Sequence, residues 1–145
     1  MIDIVKYLML LIILLRETVR DIREREVDIG VPTAYGIVAF AYNLIPGRGN
    51  ISECIGGALL GGVVLIAALL KRESIGLGDG IMLIITGTAL GAHLNLILII
   101  RTVLLAGVGA LIILIIRKRR KVAADTMPLM PYILLSYVTI CVSYA

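Results

Sequence analysis

Residues 94–116 read LNLILIIRTVLLAGVGALIILII, an apolar run whose polar side chains are Asn95, Arg101 and Thr102. A helix needs roughly 20 such residues to cross about 30 Å of hydrocarbon, and this run reaches that length. A second run, residues 55–70, approaches it. Neither alternates apolar with polar residues as a barrel strand does, so a helix is the form that satisfies every backbone group inside lipid.

The same solvent is implied for the rest of the chain. The 145 residues are 60% hydrophobic and the mean hydropathy is +1.05, whereas a soluble domain is nearer about 45–50% apolar. The expected fold class is therefore all-α: a polytopic transmembrane helical bundle of about six spans. Breakers and charges place the spans near 2–20, 31–46, 51–70, 80–92, 94–116 and 127–144. The first run resembles a secretory signal in length, but Asp3 precedes its apolar part. An Arg/Glu-rich segment stands where a small-residue cleavage site would lie, so a retained span is expected. Residues 1–145 are read as a single membrane-embedded domain.

Basic residues give the direction. Arg16, Arg20, Arg23 and Arg25 follow span one, Lys71 and Arg72 follow span three, and Arg117, Lys118, Arg119, Arg120 and Lys121 follow span five. All three clusters fall on one face, opposite Lys6 and Arg48, so that face is expected to be cytoplasmic. The net charge of +4 then reflects topology and membrane lipid, not nucleic acid. Cys54 and Cys141 are isolated, which argues against a zinc site or a disulfide framework. No cofactor or metal is expected, and His93 is read as a structural or solvated residue of an outer turn.

Two loops on the cytoplasmic face place an acid at a span edge. The first runs from Arg20 through Asp21, Glu24 and Glu26 to Asp28; the second is Ser74-Ile75-Gly76-Leu77-Gly78-Asp79-Gly80. An even number of crossings separates Asp21 from Asp79, so both return to one face and can meet. Two carboxylates within a few ångströms cannot both ionise, and the pair then shares a proton. One member can activate water while the other polarises a peptide carbonyl. Gly76, Gly78 and Gly80 leave the backbone around Asp79 bare for an extended peptide. The simpler reading of Asp79 is a helix cap.

These residues resemble the membrane domain of type IV prepilin peptidases, which are intramembrane aspartic proteases. The resemblance rests on Asp21-x5-Val27, on Gly76-Leu77-Gly78-Asp79, on the glycines Gly56, Gly57, Gly61 and Gly62, on Gly91, and on a late Met127-Pro128-Leu129-Met130-Pro131 element. It implies Asp21 and Asp79 as the catalytic pair. It also implies, as partner, a prepilin or pseudopilin precursor whose basic leader is cleaved at the cytoplasmic face of the inner membrane. Glu24 and Glu26 would attract that leader. The sequence departs from the family at Asp28, where proline is usual, and at Ile81, where lysine is frequent. No counterpart is seen of the segment that in longer relatives carries zinc-binding cysteines and N-methylation, so cleavage without methylation is expected.

The alternative is a small transporter or pilus-assembly subunit whose aspartates handle protons or ions. Arg101, inside span five, is expected to pair with Glu53 or to reach the interface. Gly57 and Gly61 form a small-xxx-small pattern, read as close packing within a monomer instead of a dimer seam.

Overall fold

The computed structural model describes residues 2–24, 28–47, 49–70, 77–120 and 128–144. They form six helices: α1 (Ile2–Glu24), α2 (Gly30–Asn43), α3 (Ile51–Leu70), α4 (Leu77–Leu90), α5 (Ala92–Arg120) and α6 (Met130–Tyr144), with no strand among the described residues. Gly76 and Glu26 lie outside the described residues, as do Arg25, Arg48, Lys71, Arg72, Lys121 and Met127.

Helix α1 runs on to Glu24, α2 stops at Asn43 and α6 begins at Met130, against expected limits of 20, 46 and 127, and two further differences have physical reasons. The fifth helix is 29 residues long and continues through Arg120, because basic residues are good helix formers and favourable at a C-terminus. The fourth begins at Leu77, so Asp79 stands inside its first turn, not ahead of it. Among the described residues one helix segment, Ala92–Ile116, is long and apolar enough to cross a membrane by length and composition, and hardly any of it is buried. Ile51–Ala67, Leu77–Leu90 and Met130–Ser143 are shorter apolar helices.

Helices consecutive in the chain alternate in direction. Tyr35 of α2 donates its hydroxyl to the Lys6 carbonyl of α1 at 2.8 Å, while Asp28, before α2, meets Arg16 and Arg20 near the other end of α1. Against α4, α3 runs antiparallel: Gly57 abuts Gly87, Gly61 abuts Leu83 and Ile84, and Leu65 fills the space beside Gly80. A Cβ at Gly57, Gly61 or Gly87 would strike the facing backbone, so these glycines set the helix separation. The small-xxx-small pattern is thus used inside one chain. Helix α6 returns along α5 through Thr102 and Ser136, whose hydroxyls bond at 3.1 Å, and along α1 through the Tyr137 hydroxyl, which donates to the Tyr7 carbonyl at 2.8 Å.

The core joins Leu10, Leu14, Met82, Leu98, Met130, Ile133 and Tyr137 from four helices. Polar groups are buried with it, including Glu17, Thr86, Asn95, Thr102 and Ser136, while Leu70, Val103, Leu114 and Val142 face outward. Asn95 of α5 donates to the carbonyls of Gly57 on α3 (2.9 Å) and Leu83 on α4 (3.1 Å), and accepts from the Thr86 hydroxyl (2.9 Å).

The turn between α4 and α5 is made by Gly91 at φ +84°, a left-handed conformation that suits glycine. Glu53 seals the same corner by accepting the N–H groups of Ala92 (2.9 Å) and His93 (3.4 Å) at the start of α5. This corrects one expectation: Glu53 does not pair with Arg101. A free helix N-terminus close by takes the carboxylate, and Arg101 donates to the Thr139 hydroxyl of α6 at 3.1 Å.

Candidate active site

The alternating directions bring the C-terminal end of α1, the start of α2 and the starts of α4 and α6 to one end of the bundle. Asp21 and Asp79 both lie there. Asp21 belongs to the last turn of α1 and is 8% exposed; Asp79 belongs to the first turn of α4 and is 7% exposed. Helices α1 and α4 pack against each other. Carboxylates are rarely buried to this degree unless bonded or functional.

Each acid has a local reason for its place. In α1 the apolar side chains Leu10, Ile13 and Leu14 turn to the core, and the same face continues through Glu17 and Asp21, four residues apart. Oδ2 of Asp21 accepts the peptide N–H of Met130 at 3.1 Å, which ties the end of α1 to the start of α6. Asp79 sits where the first-turn N–H groups of α4 favour negative charge.

The glycines around Asp79 divide in role. Gly78 is half-buried, and Gly80 is turned toward α3, where an added Cβ would lie 2.8 Å from the Leu65 side chain. Its missing side chain therefore lets α4 pack closely on α3.

Around Asp21 the acids form a ladder with arginines. Glu17 is fully buried and accepts from Arg16 (2.7 Å) and from the Asp28 peptide N–H (3.0 Å). Asp28 binds Arg16 (2.8 Å) and Arg20 (3.0 Å), and Glu24 binds Arg20 (3.2 Å). The Arg16 guanidinium, with help from the Gly30 N–H, holds the Asp28 carboxyl below the usual carboxylate range. Asp28 thus fastens the α1–α2 turn by charge where a proline would fasten it by ring geometry. Glu17 was not singled out in the sequence, although its spacing of four from Asp21 was a signal for it.

Cys54 is buried in α3 and Cys141 is exposed on α6. His93 is exposed in the first turn of α5. Among the described residues no three His, Cys, Asp or Glu side chains cluster as metal ligands would.

Among the described residues the protein is all-helical, with Asp21 and Asp79 buried at one end of its six helices. Residues 8–144 match the model of the type IV leader peptidase family, and the chain belongs to that family, which is one of proteases. No curated protein and no solved structure matches it.

Proposed function

We propose that this protein is a multi-pass aspartic endopeptidase of the inner membrane that removes the leader of prepilin-like or pseudopilin precursors at the cytoplasmic face, without N-methylation. The observation that carries this reading is the burial of Asp21 and Asp79 at one end of a bundle that belongs to a leader peptidase family. Polar groups inside and large apolar side chains outside favour lipid as the surrounding solvent. Arg16, Arg20 and Arg23 lie at the aspartate end, as do residues 117–120, and the positive-inside rule supports reading that end as cytoplasmic.

In this mechanism the pair shares one proton. The charged carboxylate takes a proton from water as the oxygen attacks the scissile carbonyl, and the protonated partner donates a hydrogen bond to the developing oxyanion. Collapse of the tetrahedral intermediate breaks the C–N bond, and the proton gained from water passes to the leaving amine. Low local dielectric strengthens each of these interactions. Gly76, Gly78 and Gly80 are read as the room for the extended peptide, and Glu24 and Glu26 as the attraction for a basic leader, Glu24 coming to that role already bonded to Arg20.

The test uses purified protein in detergent with a prepilin substrate. Asp21→Asn and Asp79→Asn should each abolish cleavage, and retained cleavage in either refutes the pair. Reversing the charge of Glu24 and Glu26 should raise KM, and an unchanged KM removes their role.

A further inference from the structure

The start of α6 has an unusual supply of donors. The first N–H groups of any helix lack intrahelical acceptors. Here Pro131 has no N–H, while Tyr132 and Ile133 already donate to the Leu129 carbonyl at 3.0 and 3.2 Å. The sequence Pro128-Leu129-Met130-Pro131 therefore leaves the Met130 N–H as the one free donor of this first turn, and it is buried on Asp21 Oδ2. The Met130 side chain is itself 0% exposed, locked in the core beside Leu14 and Ile133. That packing fixes where the N–H points. Among the described residues this is the one hydrogen bond recorded for the Asp21 carboxylate.

We infer that the Met130 peptide N–H is a positioning group that fixes the rotation of the Asp21 carboxylate, holding Oδ2 so that Oδ1 is the oxygen presented to the reaction. The inference rests on the protease reading for its catalytic consequence, but the hydrogen bond can be tested without it. A carboxylate free to rotate must be ordered during each turnover, and misplacement of a reacting group by about 1 Å can cost on the order of 100-fold in rate.

Met130→Pro removes the N–H at a first helical position, where proline is accepted. Met130→Leu keeps both the N–H and the buried volume that aims it, and is the control for the substitution itself. The leucine variant should keep most of the wild-type kcat, while the proline variant should lose at least about tenfold in kcat with KM nearly unchanged. Equal kcat in the two variants, or a loss confined to KM, overturns the inference. Should the proline variant fail to fold, amide hydrogen exchange at Met130 decides: exchange should be at least about tenfold slower in wild type than in Asp21→Ala, and equal rates overturn the inference. Failure of the protease reading is recognised separately, by cleavage that persists in Asp21→Asn.

Discussion

Asn95 donates its side-chain amide to the Gly57 carbonyl at 2.9 Å, across the seam where α3 and α4 come closest. A glycine at that position strips the helix of side-chain cover, and the bare carbonyl becomes reachable from α5. Replacing Asn95 by Leu keeps volume but removes its bonds to the Gly57 and Leu83 carbonyls and leaves the Thr86 hydroxyl with the Leu83 carbonyl alone. The expected cost is about 1–3 kcal/mol, read as a lower thermal midpoint in detergent. An unchanged midpoint would show that the network contributes nothing net.

The seam itself makes a paired prediction. Gly87→Ala puts a methyl group into the Gly57 backbone, whereas Gly62→Ala points into open space. The first should destabilise by about 1–3 kcal/mol and the second should be neutral or slightly stabilising. Comparison of the two unfolding midpoints checks both.

Asp28 gives a pH dependence. Its carboxyl is held below the usual range by Arg16 and the Gly30 N–H, so its contribution is full above the ordinary carboxylate value of about 4. That contribution is lost as pH falls through the depressed folded value. Asp28→Asn should therefore lower the thermal midpoint at neutral pH, and the gap from wild type should close in acid. A gap independent of pH would assign the effect to shape and not to charge.

Gly91 turns the chain at φ +84° against the Glu53 side chain. Alanine there forces a side chain into the left-handed region, at a cost of about 1–2 kcal/mol. Glu53→Gln weakens the cap on α5 by about 0.3–1 kcal/mol. Because Glu53 and Gly91 touch, the double variant should lose less than the sum, measured by a double-mutant cycle in denaturant.

The helices were legible where hydropathy alone decides them: α3 occupies 51–70 as its apolar run implied, and α6 ends as expected. Reading by charge was less sure, since Arg117–Arg120 marked the end of a span yet continue its helix. Glycine misled at the start of α4, because Gly78 and Gly80 resemble a loop but are admitted to the first turn by Asp79 and by contact with Leu65. Both proposed acids were visible as charges at span edges. Their supports were not: Met130 is 109 residues from Asp21, and Glu53 is 39 from Ala92. No local pattern ranks such distant partners, so in the sequence Glu53 stands as one of two ways to satisfy Arg101, while a nearer peptide N–H has the stronger claim on it.

The link between Asp21 and Met130 also fixes an order of events during biosynthesis. The ribosome makes both acids before the amide that grips the first of them, which emerges with α6. A growing chain caught before α6 emerges would hold both acids with the first ungripped, so on the protease reading the active geometry would wait for α6.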